Sequence, residues 1–434
     1  MDNTTSITTN NWFFGRIAIG DHRWLTIFLL LIGVFTVLPA VQGFNDGSRM
    51  ATIQSLVEHH TFVIEQSDFI DGHDKVFING HFYSDKPPIT ALIGAVVYIP
   101  LYYLGITLGN GWNLAYYLIT LFTVKLLWFL GIKAFYGILK QVEIKEKDRL
   151  VLTVALALGS LYFSWSATFT NHIFSASFLV IGLYYLLKAK NSARISKQLF
   201  LAGLFISLAG AQDYANLAFY AMFALVLLWQ PYTLTQKAMF FLPSLLTIVP
   251  NFVILYAISG SIVPFDLVQE YFNYPGSKLA ESGLLTGMEV KTGWALVKYA
   301  FHMVIGKKGF LLHNPLTFLA IPFMITEITA RRKFWREAIA IAVASLVIIV
   351  FYILTSKDYS GFAYSIRWFV PFLPLWYLFL YPVFTQERPK LRKTFSVLFI
   401  LSVVIAAVGL IDPWTTVITG VPFLDNLITV ILRV

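Results

Sequence analysis

The chain has 434 residues, of which 57% are hydrophobic and 13% charged, with no cysteine and a formal net charge of +9. Soluble domains carry about 25% charged residues, so a water-exposed globular surface is excluded and the chain reads as an integral membrane protein. The missing cysteines exclude disulfides, thiolate zinc sites, iron–sulfur clusters and a cysteine nucleophile, and nucleic acid is excluded as a partner because lysines and arginines fall in short clusters between apolar runs and build no basic face.

The first apolar run, Leu25 to Phe44, follows Arg16 and Arg23. It is too long for a signal-peptide core and ends in Val41-Gln42-Gly43 without a small-x-small cleavage site, so it is expected to remain as a first span with a cytoplasmic N-terminus. Further apolar runs cover residues 89–108, 112–139, 149–168, 172–187, 198–212, 214–230, 237–258, 310–328, 336–355, 367–384, 394–411 and, more weakly, 415–432. At about 20 apolar residues per crossing this predicts an all-α, polytopic transmembrane helix bundle of about 11 to 13 spans. No repeat or soluble domain interrupts it, so residues 1–434 read as a single integral-membrane domain with two long external loops, 44–88 and 259–309.

Basic clusters mark the loops Lys140 to Arg149, Lys188 to Lys197, Gln230 to Lys237, Arg331 to Arg336 and Arg388 to Lys393. From the second onward an even number of runs separates each from the next, which places them together on the cytoplasmic side. The first span leads outward, so the loop at Lys140 requires an odd number of crossings between residues 89 and 139, where two runs lie; one of these is expected to be interfacial or re-entrant. The other face then receives residues 44–88, the turns at His172 and Asp213, residues 259–309, and Lys357 to Arg367.

Residues 44–88 hold four of the eight histidines and seven of the 23 acids. For Glu58, Glu65, Asp71, His73 and Asp74 the expected state is a solvated loop. Asp46 differs: it follows the first span at once, in Phe44-Asn45-Asp46-Gly47-Ser48-Arg49, where a partly desolvated carboxylate gains basicity unless a cation is close. Arg49, three residues on, is that candidate cation, and a salt-bridged helix start is the competing reading. At the loop's far end Tyr83-Ser84-Asp85-Lys86-Pro87-Pro88 precedes the next run. The prolines hold the backbone extended before a helix, and Lys86 either snorkels as an anchor or meets a phosphate at headgroup depth.

An aspartate with an arginine three residues later just after the first span, then a long loop closing in Tyr-x-x-Lys-Pro-Pro, resembles the membrane glycosyltransferases of the C-type fold, in the branch related to protein O-mannosyltransferases and the lipid A aminoarabinose transferases. The resemblance covers residues 44–90, with two weaker local matches: Gly306-Lys307-Lys308-Gly309-Phe310-Leu311-Leu312-His313-Asn314-Pro315, similar to a "GKGLF…P" segment, and Arg367-Trp368-Phe369-Val370-Pro371-Phe372-Leu373-Pro374, similar to an "R-x-x-x-P-x-x-P" helix start. It implies short membrane-parallel helices in the first external loop, which Ile53 to Phe62 could supply. It also implies an inverting transfer of a hexosyl or pentosyl unit from a polyprenyl-phosphate donor to an acceptor hydroxyl, on the external or periplasmic face of the inner (plasma) membrane. The acceptor would be a lipid, glycan or protein of the cell envelope.

In that reaction Asp46 would be the general base. Lys86 and Arg367 would bind the leaving lipid phosphate, with Arg49, Lys307 and Lys308 as further cations. An arginine opening an apolar run is costly, and an anionic headgroup, or Asp358, would offset that cost. Tyr83, Asp85, His172, Asp213 and His313 are candidates for the substrate pocket, each with a plain alternative as a belt or turn residue. No cofactor is expected. No metal is expected either: Asp68, Asp71, His73, Asp74 and His81 match no EF-hand or His-Glu-x-x-His spacing, and the resembling branch generally works without a catalytic metal.

A transporter or lipid-linked glycan flippase is the rival class. It should show mid-membrane charges and interrupted helices in matching halves, whereas the runs carry few charges beyond Lys125 and Lys133 and no internal two-fold match. A glycan ligase would call for a late loop rich in Arg and His, and a phosphoethanolamine transferase for a soluble domain.

Overall fold

The computed structural model describes residues 22–277, 291–356, 358–386, 388–416 and 418–432. Arg16, Lys357 and the stretch 278–290 of the second long loop lie outside the described residues. Among the described residues seven helices are long and apolar enough to cross a membrane: Leu114–Leu139, Asn171–Ala189, Ile195–Gln212, Leu234–Ser259, Trp335–Thr355, Arg367–Thr385 and Pro389–Ile411. The pair Glu146–Leu158 and Leu161–Ala167, bent by 54°, makes an eighth if taken as one span, and five shorter apolar helices of 10–17 residues accompany them. The chain is a multi-pass membrane protein with an all-α bundle, and the expected 11 to 13 spans are reached only by counting shorter helices as crossings.

The first apolar run does not form one span-length helix. Helix α1 covers Arg23–Phe35 and stops ahead of Pro39, which disfavours helical geometry in the residue before it. Residues 36–43 run irregularly, tied by the Leu38 N–H to the Ala167 carbonyl at 2.9 Å and by the Asn113 N–H to the Pro39 carbonyl at 2.7 Å. Phe44 then opens α2, Phe44–Glu58. Of the two runs between 89 and 139, α3 spans only Pro88–Tyr103, about 24 Å at 1.5 Å per residue. The second forms a continuous 26-residue helix, so by length alone only the second crosses.

Helix α2 inverts the usual membrane pattern. Asn45, Asp46, Ser48, Arg49, Thr52, Gln54 and Ser55 are all buried on it, while Trp335–Thr355 and Pro389–Ile411 expose Leu346, Val347, Ile400, Leu401 and Val404 outward, as lipid contact requires. A polar helix inside an apolar bundle costs desolvation unless its groups are paired. The expected short helix at Ile53 is the second half of α2. The loop after it is stapled back through Gln54, whose Oε1 accepts from the Ser67 hydroxyl at 2.8 Å and the Asp68 N–H at 3.0 Å.

A β-hairpin follows, which the all-helical expectation for this loop did not include: β1, Lys75–Ile78, pairs antiparallel with β2, His81–Ser84, with Val76 opposite Tyr83. Its two-residue turn, Asn79-Gly80, has φ of 52° and 88°, the doubly positive geometry that Asn-Gly favours. Val76 and Ile78 bury against Leu255, Phe265 and Phe272, and the Asn79 side chain donates to the Ile258 carbonyl at 3.0 Å. The hairpin is thereby fixed on the end of Leu234–Ser259, and its outgoing strand delivers Ser84, Asp85 and Lys86.

Asn171–Ala189 lies at the centre of the bundle, against Ile195–Gln212 and Leu126–Leu139. Close approach depends on small residues: a Cβ at Gly203 would stand 1.9 Å from the Phe240 carbonyl oxygen.

Candidate functional site

Asp46 occupies the third position of α2, whose N-cap is Gly43. Its Oδ1 accepts the Gly43 N–H at 2.8 Å and its Oδ2 the Gln42 N–H at 3.1 Å. The Tyr116 and Thr168 hydroxyls both lie 3.0 Å from Oδ2. The carboxyl group is fully buried. Burial raises its pKa above the ordinary aspartate value, and the bonds from Gln42, Gly43, Thr168 and Tyr116 offset this only in part. A basic carboxylate capping a helix N-terminus and touched by two rotatable hydroxyls can take a proton from a third.

Arg49 does not pair with Asp46 despite the helical spacing. One guanidinium nitrogen donates to the Asn45 carbonyl at 2.8 Å and to its side-chain oxygen, and the other to Asn171 Oδ1 at 2.9 Å. Burial lowers its pKa to about 10, with Asp85, Asp74 and Asp46 opposing and Arg367 adding to the depression. It therefore stays charged at neutral pH, and its sensitivity to those groups places them in one electrostatic neighbourhood.

Lys86 is held by two carboxylates, Asp85 Oδ2 at 2.7 Å and Asp74 Oδ2 at 2.9 Å. Asp74, expected as a solvated loop residue, thus belongs to the cluster; Asn45 donates to it at 3.3 Å. The Ser48 hydroxyl lies 2.6 Å from that of Ser84 and donates to the Asp74 carbonyl at 2.5 Å, which ties α2 to the hairpin. Burial disfavours the Lys86 ammonium, but Asp74 and Asp85 overcome this and raise its pKa. Burial raises the Asp85 carboxyl. It acts the same way on Asp74, where Lys86 outweighs it, so that carboxyl falls below the ordinary range.

Beside this cluster lies a small cavity of about 20 Å³, with Arg49, Ser84 and Lys86 at its polar end and Tyr83, Pro87, Pro88, Ala91, Ile254, Ile258 and Phe265 along its apolar wall. A cation pair beside an apolar wall has the chemistry to meet a lipid phosphate, and a cavity of this size, with room for about one water, has to widen to admit one. Asp46 does not line this cavity. It sits one turn back on α2 from Arg49, with the Tyr116 and Thr168 hydroxyls on its Oδ2.

Arg367 opens its helix near the same cluster, its guanidinium 4.9 Å from the centre of the Trp414 ring. His172 is buried at the start of Asn171–Ala189, Nδ1 3.8 Å from Asp213 Oδ2. Asp213 caps the next turn through the Ala215 N–H at 3.2 Å, and burial raises its pKa. Lys308 is buried and donates to the Gly361 carbonyl; burial lowers its pKa to about 8, against the nearby charge of Asp358. Lys307 is exposed. His313 is buried, its Nδ1 bonded to the Gly309 carbonyl at 2.8 Å, and burial lowers its pKa to about 4. Among the described residues no hydrogen bond or ion pair joins Lys307 or His313 to the Asp46–Lys86 cluster.

Sequence reasoning placed Asp74 in a solvated loop and did not single out Tyr116, Thr168, Asn171 or Trp414. Tyr116 and Thr168 read only as polar interruptions of apolar runs, and Trp414 fell just outside the last one.

No family model matches this chain, and no curated protein does. Several solved structures share its fold, three of which follow. ArnT from Cupriavidus metallidurans, bound to undecaprenyl phosphate, aligns with a TM-score of 0.56 and 16% identity over 90% of this chain and 71% of its own. The same protein in the apo state gives 0.54 and 15%, over 93% and 66%. The Archaeoglobus fulgidus oligosaccharyltransferase in complex with Zn and sulfate gives 0.52 and 15%, over 88% and 52%. The chain has the fold of the C-type membrane glycosyltransferases and spans about two thirds of ArnT and half of the oligosaccharyltransferase.

Proposed function

We propose that this protein is an inverting glycosyltransferase that moves a sugar from a polyprenyl-phosphate donor to an acceptor hydroxyl on the non-cytoplasmic face of the plasma membrane. The observation that carries the reading is the joining of a buried, base-like carboxylate and a cation-headed apolar cavity by a single helix, α2. ArnT, which shares the fold, is a structure with undecaprenyl phosphate bound, and a lipid phosphate suits the cations at the Lys86 cavity here.

The donor's phosphate takes its place at Lys86 and Arg49, with Arg367 completing the cation set and the isoprenoid lying along Pro87, Pro88, Ile254 and Ile258. The leaving group is then a phosphate monoester that fixed cations stabilise without a protonating acid. An acceptor hydroxyl replaces the Tyr116 hydroxyl at Asp46 Oδ2, while Thr168 stays in place, and Asp46 removes the acceptor's proton as the oxygen attacks the anomeric carbon. The acceptor is an envelope lipid, glycan or protein. Tyr83, Asp85, His172 and Asp213 are proposed to contact donor or acceptor, and Lys307, Lys308 and His313 are secondary candidates for the donor side.

Membranes carrying the parent or Asp46→Asn are incubated with radiolabelled polyprenyl-phosphate sugars and envelope acceptors. The expected result is transfer by the parent and a loss of about 10² to 10⁴-fold in the variant, with an acid limb of the parent's rate above the usual carboxylate range because only ionised Asp46 is competent. Undiminished transfer by Asp46→Asn removes Asp46 from the mechanism. If no donor is consumed by the parent, the transferase reading falls and the transport reading gains.

A further inference from the structure

Trp414 lies in the loop between Pro389–Ile411 and the terminal helix Pro422–Leu432, and its ring meets both halves of the proposed chemistry. The Arg367 guanidinium lies 4.9 Å from the ring centre. The indole N–H reaches Thr168 Oγ1 at 3.4 Å, and the Thr168 hydroxyl lies 3.0 Å from Asp46 Oδ2. Trp165 packs edge-on at 5.0 Å. Gly43, whose N–H caps Asp46, lies flat against the same ring: a Cβ there would come within 3.0 Å of it.

The loop is anchored for this purpose. The Tyr364 N–H donates to the Pro413 carbonyl at 2.9 Å, fixing Trp414 relative to Arg367 three residues beyond Tyr364. Asn426 donates to the Val408 and Asp412 carbonyls at 3.0 and 2.9 Å. Asp425 Oδ1 accepts both the N–H and the hydroxyl of Thr419 at 2.6 Å. The Nε of Arg367 is buried without a hydrogen bond, so ring attraction for the cation is a main restraint on that guanidinium.

We infer that Trp414 is a positioning residue of the transfer: its face sets the guanidinium of Arg367 at the leaving phosphate, and its N–H orients the Thr168 hydroxyl that serves Asp46. One side chain from the C-terminal loop thereby aligns the donor and acceptor sides of the reaction. The inference rests on the transferase reading, in which Asp46 and Arg367 act.

The test uses the full chain in detergent, as parent, Trp414→Phe and Trp414→Leu, with undecaprenyl phosphate as the binding probe, label transfer across pH as the kinetic readout, and Tm as the check on folding. Phenylalanine keeps an aromatic face under Arg367 but has no N–H. Its affinity for undecaprenyl phosphate is expected to stay within about twofold of the parent's, while the acid limb of kcat moves to higher pH because the ionised form of Asp46 loses support from Thr168. Leucine removes both contacts and is expected to bind undecaprenyl phosphate roughly tenfold more weakly as well. Variants that match the parent in binding, rate and pH profile overturn the inference and leave the transferase reading intact. So does a uniform loss of binding, rate and Tm in both, which is what packing alone predicts. A parent that neither binds undecaprenyl phosphate nor consumes any polyprenyl-phosphate sugar overturns the transferase reading and this inference with it.

Discussion

Lys86 meets two carboxylates in a site that would also hold a phosphate, so its charge is secured before any ligand arrives. Replacing it by glutamine removes a charge-assisted bond worth about 1.5 to 3 kcal/mol, and the donor KM is expected to rise about 10- to 100-fold. The same substitution alters stability against pH. Burial raises the Asp74 carboxyl but Lys86 more than offsets it, so Asp74 contributes stability that is present above its unfolded pKa of about 3.9 and lost as pH falls through the depressed folded value. The parent's Tm is expected to fall below about pH 4, and Lys86→Gln to lose that acid-side slope. Asp46 and Lys86 are legible in the sequence because each stands at the border of an apolar run, where a charge is conspicuous. Thr168 is not, because its bond to Asp46 spans 122 positions and nothing in its own neighbourhood marks it.

The hairpin is the element that carries Lys86, and its geometry depends on Gly80 at φ 88°. A β-branched residue there cannot hold positive φ without strain of about 1 to 2 kcal/mol. Gly80→Val is expected to raise the donor KM with a smaller effect on kcat, since Lys86 shifts while Asp46 does not, whereas Gly80→Asn is expected to be mild; donor titrations of both separate the two. The Asn-Gly pair between β-favouring residues is a hairpin turn signal that the expectation of short helices in this loop passed over, whereas the break of the first apolar run into α1 and α2 was marked only by Pro39. Helix α2 was hard to place from its sequence because a polar segment after a span reads as a solvated loop. Its burial follows from the partners that other helices bring to it.

At the scale of the bundle, the site exists only while the helices stay close enough to enclose α2. Gly203→Leu pushes a side chain into the Phe240 carbonyl, which lies 1.9 Å from even the first added carbon. Overpacking of this kind costs about 1 to 3 kcal/mol; the expected result is a lower Tm and a broadened size-exclusion profile in detergent, with loss of transfer following from it. The same scale explains the shared fold at 16% identity: apolar surfaces interchange freely in lipid, and only the positions where small residues or polar pairs meet constrain the chain.

Composition and local pattern alone determined that this is a membrane protein of many helices with its candidate site residues at the two ends of residues 44–88, because apolar run length and the siting of charges are properties of neighbouring residues. Which groups act together was decided by the tertiary structure: Tyr116 and Thr168 at Asp46, Asp74 at Lys86, Asn171 at Arg49, Trp414 at Arg367. Each of these contacts joins separate elements, and in a low-dielectric interior the partner, more than the residue type, sets charge, basicity and position.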